Sequence, residues 1–220
     1  MSWQSSAEYY RLINEAIQAR LGGHHNGRTL MFTVNFEEIE PLMRAGDWDG
    51  VAAIVTDAAR KLEAGGADFI LLCTNTIHKV SDAIEAAISI PFVHLVDVTA
   101  EAVQRQGCHT VGLLGTRFTM EQEFYRARLE RHGLTVLIPD AEARDTIHRV
   151  IFEELVFGKV HDQSRRQYQA IIHQLRDRGA EGVILGCTEI GLLIQSADSS
   201  LPVFDTTRIH VEAAVALALA

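Results

Sequence analysis

The chain of 220 residues is 47% apolar, enough to bury a substantial core in one large domain or two small ones. Its net charge of −9 and pI near 5.5 disfavour nucleic acid and anionic membrane surfaces, so the expected partner is a small molecule or a protein. No stretch reaches the roughly 20 uncharged apolar residues of a bilayer span and the start lacks the basic-then-apolar pattern of an export signal, so a cytoplasmic protein with three reduced cysteines is expected.

In chain order, "SAEYYRLINEAIQARLGG" predicts a helix that stops at glycine, followed by a strand over 29–36. "WDGVAAIVTDAARKLEAGG" is the next helix, and strands are expected over 68–73, 92–98 and 110–115. "EQEFYRARLERHG" and "SRRQYQAIIHQLRDRG" predict two more helices, on either side of a strand over 134–139. Strands over 182–187 and 201–205 and a helix over about 207–219 complete the chain. The strands are continuously apolar, as they must be when helices cover both faces of a parallel α/β sheet.

An internal repeat organises these elements. "GADFILLCTNT" at Gly66 and "GAEGVILGCTE" at Gly179 align without a gap at an offset of 113, each after a charged helix. "PFVHLVDVTAEAV" from Pro91 and "PVFDTTRIHVEAAV" from Pro202 form a second pair at nearly the same offset. Two pseudo-symmetric Rossmann-like three-layer α/β halves with parallel sheets and an interdomain cleft are therefore expected. The first comprises 1–97 with a crossing C-terminal helix from 207–220, and the second 98–206. Aligning "FYRARL" with "YYRLIN" leaves the second half's "TVGLLG" strand without a counterpart, so the first half is expected to lack its first strand.

In the repeat Thr74 falls opposite Cys187, and Cys73 opposite Gly186. Side chains alternate along a strand, so if Cys187 faces a site then Thr74 does too, and Cys73 points into packing. Both tips lie at carboxyl ends of parallel strands, where open α/β sheets bind ligands. Backbone N–H groups at the helix starts that follow suit a carboxylate.

Taken together, "MSWQSSAEYYRLINE", "CTNTIHKV", "LLGTRFTMEQEFYR", "GCTEIGLL" and "PVFDTTRIHVEAAVA" resemble the aspartate/glutamate racemase family over essentially the whole chain. The resemblance implies racemisation of a small acidic amino acid without cofactor or metal, by two thiols, one per half, on opposite faces of Cα. It also implies a homodimer, for which the first helix offers Tyr9, Tyr10 and Ile13, core packing being the other explanation of these residues. The sequence departs from the family at T-N-T, which puts Thr74 where the first cysteine stands. A threonine hydroxyl is a far weaker acid than a thiol, so it suits donating or relaying a proton rather than abstracting one. The second-half cysteine serves the L-enantiomer in the family, which makes Cys187 the working base and predicts a preference for L-aspartate or L-glutamate. Maleate isomerase or malonate decarboxylase chemistry on the same scaffold, or an inactive ligand-binding scaffold, are the other readings.

By the same resemblance Asn75, Thr76 and Thr188 are candidates to bind the substrate's α-groups, with helix capping as the other role. Thr116 and Thr119 match positions near the substrate, and Glu189 matches an acid that steers the thiol. A side-chain carboxylate needs a cation in so acidic a protein, and Arg44, Arg117 and Lys159, expected in loops, are the candidates. His78 is expected at a helix start as a cap or on the surface, His24 and His25 in an exposed turn, and Asp205 as an N-cap. Cys108 is structural by this reading. No metal-ligand spacing, GxGxxG or P-loop is present, so neither metal nor nucleotide is predicted.

Overall fold

The computed structural model describes residues 2–220. Its elements in order are α1 (Trp3–Leu21), α2 (Phe36–Ala45), α3 (Trp48–Ala64), β1 (Ile70–Leu71), α4 (Ser81–Glu85), β2 (Phe92–Val93) and α5 (Leu95–Arg105). They continue with β3 (Thr110–Gly115), α6 (Arg117–Glu121), α7 (Glu123–Arg131), β4 (Thr135–Leu137), α8 (Ala141–Glu153) and α9 (Asp162–Asp177). The last are β5 (Gly182–Gly186), α10 (Ile190–Leu193), β6 (Val203–Asp205) and α11 (Thr206–Ala218). The chain divides into two compact units, Met1–His94 with His210–Ala220, and Leu95–Ile209, a few residues from the expected boundaries.

The second unit carries a parallel four-stranded sheet in the order β4-β3-β5-β6. Leu114, Val183 and Leu185 pack on one side against Ile147, Tyr168 and Ile172 of α8 and α9. Leu113 and Ile184 pack on the other against Val96, Val103, Tyr125 and Leu129 of α5 and α7. Adjacent residues of one strand thus enter different cores, which explains why the sequence shows unbroken apolar runs.

The first unit has a two-stranded parallel sheet, β1 beside β2. Ile39 of α2 and Val51, Val55 and Ala59 of α3 form one core with Ile77 and Ile84. Tyr9, Leu12 and Ile17 of α1 form another with Val211 and Val215. The repeat is visible in the backbone. Gly66 and Gly179 both take positive φ (89° and 98°), the left-handed conformation that lets each chain leave its helix and turn into the strand. The Ile70 N–H donates to Pro91 O at 2.8 Å, and at the equivalent place the Val183 N–H donates to Pro202 O at 2.9 Å.

Several expected strands are corrected. Residues 29–34 join no sheet, and Phe36 opens α2 because Asn35 caps it, accepting from the Glu37 N–H at 3.2 Å ahead of an acidic first turn. The strand over 92–98 ends at Val93, since Leu95, Val96, Thr99, Ala100 and Val103 share the buried face of a helix. The strand over 68–73 shortens to Ile70–Leu71, because only β2 pairs with it. Helices α2 and α8 were not anticipated. No helix of the described residues is long and apolar enough to cross a membrane.

His210 is wholly buried in the first unit, where its Nε2–H donates to Val93 O at 2.7 Å and its Nδ1 accepts from the Tyr9 hydroxyl at 2.9 Å. A carbonyl can only accept, so Nε2 carries a proton; where the ring is neutral, Nδ1 accepts from the Tyr9 hydroxyl. Burial lowers its pKa from 6.5 to about 4. Between those values the unfolded chain binds a proton that the folded chain refuses, so stability is complete above pH 6.5 and falls as pH drops towards 4. Urea unfolding from pH 7 to 4 is expected to show a loss of up to about 1.4 kcal/mol per pH unit from this group, absent in His210→Gln.

Strands β3 and β5 approach closely at their carboxyl ends. A Cβ on Gly186 would sit 2.9 Å from Leu114 O and 3.1 Å from Thr119 Cγ2. Gly186→Ala is expected to cost about 1–3 kcal/mol in urea unfolding, because the contact is with backbone that cannot yield cheaply.

Candidate active site

The β3–β5 register ends with Gly115 beside Gly186, so Thr116 and Cys187 leave the sheet side by side. Thr116 caps α6, its hydroxyl accepting from the Thr119 N–H at 3.4 Å and lying 3.3 Å from the Thr119 hydroxyl. Both threonines are buried. Asp205, paired with Leu185 on the other flank of β5, accepts from the Thr207 and Arg208 N–H groups at 2.9 and 3.2 Å, the N-cap role expected of it.

Cys187 donates its thiol proton to Glu189 Oε2 at 3.0 Å. Glu189 stands at the start of α10 but makes no side-chain cap there, so its carboxylate serves the sulfur rather than the helix. Burial raises the Cys187 pKa well above the ordinary thiol value, and the charge and hydrogen bond of Glu189 push it the same way, while the Glu189 backbone N–H pulls it down. Thr188 is partly exposed beside it. Behind the thiol stands buried Tyr168, held by a 3.1 Å bond to Ile147 O and itself shifted up by burial and by the negative charge Cys187 carries when ionised. Composition and spacing give no signal for Tyr168, whose proximity comes from the packing of α9 on the sheet. Thr207, noticed only within "TTRIH", is buried with no partner for its hydroxyl among the described residues.

In the first unit the tip after β1 is built by backbone contacts. Cys73 packs against the Tyr9, Leu12 and Val211 core, and burial lifts its pKa to about 11. Its carbonyl accepts from the buried Ser5 hydroxyl at 2.8 Å, a contact the sequence did not announce. The Thr74 N–H turns back to Leu72 O at 2.8 Å, and Thr74 O accepts from His78 Nδ1 at 2.7 Å. His78 is thus neither a surface residue nor a side-chain cap. It is 2% exposed, with its ring 4.6 Å from that of His94, which meets the Ser81 hydroxyl at 3.1 Å. Asn75 and Thr76 are buried at the start of a 3-10 turn (Thr76–Val80), and the Asn75 side chain does not cap it.

The three expected cations are each engaged in a local contact. Arg44 is in the last turn of α2, not a loop, and is exposed and paired with Glu40 at 2.6 Å. Arg117 opens α6 and pairs with Asp145 at 2.6 Å. Lys159 lies over the Phe157 ring at 5.7 Å. Among the described residues no three His, Cys, Asp or Glu side chains are grouped to hold a metal ion.

The sequence profile of the Asp/Glu/Hydantoin racemases matches residues 1–214. The chain belongs to the Asp/Glu/Hydantoin racemase family. It is 26% identical over 174 residues to the broad specificity amino-acid racemase RacX of Bacillus subtilis (strain 168), covering 79% of this chain and 75% of that one. A Yersinia pestis protein provisionally called an Asp/Glu racemase has a crystal structure that matches all of this chain and 96% of its own at TM-score 0.94 and 48% identity. An aspartate racemase homologue from Pyrococcus horikoshii OT3 matches all of this chain and 96% of its own at TM-score 0.89 and 34% identity. A racemase of this family needs a group that can take a proton from Cα, and the thiol–carboxylate pair of Cys187 and Glu189 is chemically able to do so.

Replacing Glu189 with Gln removes a negative charge and a proton acceptor from the sulfur. The pH midpoint of iodoacetamide alkylation, followed on the peptide containing Cys187, is expected to fall in Glu189→Gln and to stay put in Cys108→Ser.

Proposed function

We propose that the protein is a cofactor-independent, cytoplasmic racemase of acidic amino acids, aspartate or glutamate, with a preference for the L-enantiomer. The observation that carries this reading is the partly buried Cys187 thiol donating to the Glu189 carboxylate at the carboxyl end of β5. In the proposed cycle the thiol passes its proton to Glu189, and the resulting thiolate takes the Cα proton of the L-substrate. Thr74, at the equivalent position of the repeat, delivers a proton to the opposite face and recovers one from water, and Glu189 releases the proton it holds to the hydroxide so formed, which closes the cycle. Asn75, Thr76, Thr116, Thr119 and Thr188 are the groups we assign to the α-carboxylate and ammonium.

Arg44 and Lys159 are the cations we assign to the side-chain carboxylate. Their present contacts are surface pairings of the kind worth about 0–1 kcal/mol, so an arriving carboxylate can displace them. We also read the protein as a homodimer. Tyr9 cannot serve such an interface, being bonded to His210 in the core, whereas Trp3 and Tyr10 are exposed apolar residues on α1.

The test is turnover in heavy water. Cα deuterium is expected to enter from L-aspartate or L-glutamate faster than from the D-forms, and equal initial rates would refute the asymmetry. Cys187→Ser is expected to lower L-turnover by about 10²–10⁴-fold, the usual contribution of a positioned base. Thr74→Cys, which restores an acidic thiol, is expected to gain turnover of the D-substrate.

A further inference from the structure

Helix α6 is only five residues long, yet Thr116 caps it and it carries Thr119, two of the groups assigned to the substrate. So short a helix has almost no ladder of its own, and the partners of its first N–H groups decide whether it stays closed. The Thr119 N–H goes to the Thr116 hydroxyl, and the Met120 N–H to Thr116 O at 3.0 Å. The Arg117 N–H, first in the helix, leaves the segment and donates to Nδ1 of His148 on α8 at 3.4 Å. Two ion pairs also tie α6 to α8, Arg117 with Asp145 at 2.6 Å and Glu121 with Arg144 at 2.8 Å. Those pairs hold side chains. Of the three ties, only the imidazole holds backbone, next to Thr116 itself.

The ring is placed in its turn by Phe152, one turn along α8, with 4.6 Å between the ring centroids. An N–H group can only donate, so Nδ1 must offer its lone pair and the neutral ring carries its proton on Nε2. Protonation would set a second hydrogen between the two nitrogens and break the contact. Burial and the charge of Arg117 lower the His148 pKa, offset only in part by Asp145 and by Glu121, and these are the charged groups that face the ring from α6 and from α8 itself. From β3, α9 and the 3-10 turn Leu155–Phe157, α8 meets Leu114, Ile172, Leu155 and Tyr168, whose phenol stays protonated. The contact is therefore whole above the ordinary value of 6.5 and is lost as pH falls through the lower pKa of the folded chain.

We propose that His148 is a positioning residue of the site, fixing the start of α6 through the Arg117 N–H and with it the Thr116 and Thr119 hydroxyls. What those hydroxyls bind rests on the proposed function; the contact that holds them does not. The same stretch of α8 braces the neighbouring strand end, since Ile147 O accepts from the Tyr168 hydroxyl at 3.1 Å and Tyr168 responds to the charge of Cys187. One helix thus steadies both β3 and β5 where Thr116 and Cys187 leave the sheet. Groups that hold the α-carboxylate and ammonium do so in the ground state and the transition state alike, so their loss raises KM and leaves kcat unchanged.

Two measurements test this. In nitrogen-15-labelled wild-type protein, His148 is expected to show a bare Nδ1 and a protonated Nε2 at neutral pH, and the Arg117 amide shift to follow the His148 titration between about pH 8 and about pH 5.5. An Arg117 amide that ignores that titration would overturn the proposal, whether or not the protein turns over any amino acid. In steady-state kinetics on L-aspartate and L-glutamate, His148→Leu is expected to raise KM about fivefold at every pH with kcat within about twofold, as for one hydrogen bond removed from a binding group. His148→Asn, whose Oδ1 stands where Nδ1 stood and does not titrate, is expected to keep the wild-type KM at neutral pH and to lose the rise in KM that the wild type shows in acid. An Asn variant whose KM climbs in acid as the wild type's does would sink the idea, as would equal losses in kcat and thermal stability in both variants. A wild type that racemises neither substrate removes the proposed function, and the amide titration then decides the role of His148 on its own.

Discussion

One backbone hydrogen bond, made once in each unit, governs the geometry of both strand tips. Where the Ile70 N–H meets Pro91 O and the Val183 N–H meets Pro202 O, the first strand of each pair is fixed in register against the second. Side chains alternate strictly along a strand, so this bond also decides which residue of each tip enters the core. Cys73 goes inward to Tyr9 and Leu12, and Thr74 follows it out of the strand; Gly186 lies against Leu114 O, and Cys187 follows it. A slip of one residue would exchange a hydroxyl for a thiol at the first tip.

Acidity alone does not single out a working thiol. Burial raises all three cysteines, Cys73 to about 11, Cys108 with help from Glu181, and Cys187 with help from Glu189. What separates them is the partner of the sulfur. Cys108 reaches only a backbone carbonyl, that of Glu181 at 3.7 Å, which can accept a hydrogen bond but cannot keep the proton. Cys187 meets a carboxylate, a base that can accept the proton in passing. The same carboxylate that holds the resting thiol protonated is thus the group able to take its proton, and the two effects come from one 3.0 Å contact.

The second unit was legible from sequence because its strands are held on both sides and buried on both faces. Each apolar run from 110 to 205 became a strand within a residue or two. The first unit was less so. "HLVDV" has β-rich composition, yet Leu95 to Val103 is helical, since a short apolar run carries no period by itself and only the later spacing of Thr99, Ala100 and Val103 marks the helix. Asn35 and Asp140 cap α2 and α8 and are the local sequence signals of those helix starts. Strand 29–36 was misread for a different reason: strand formation depends on a neighbour to pair with, and that is a property of the whole sheet rather than of the segment. The tip residues were legible through the repeat, while Tyr168, Ser5 and the burial of His78 depend on elements far apart in the chain and left no local sign.

The two tips are unlike in their polar surroundings, and that bears on the proposed division of labour. Around the Cys187 tip the neighbouring groups include the carboxylates of Glu189 and Asp205, which accept protons. Around the Thr74 tip the hydrogen bonds join imidazoles to neutral oxygens: His78 donates to Thr74 O, His210 donates to Val93 O, and His94 pairs with the Ser81 hydroxyl. Such a set holds a backbone carbonyl in place without supplying negative charge. A hydroxyl there meets no carboxylate in these contacts and stays protonated. In a reaction that must remove a proton on one side and supply it on the other, a carboxylate-backed thiol suits the removal and a neutral hydroxyl suits the return.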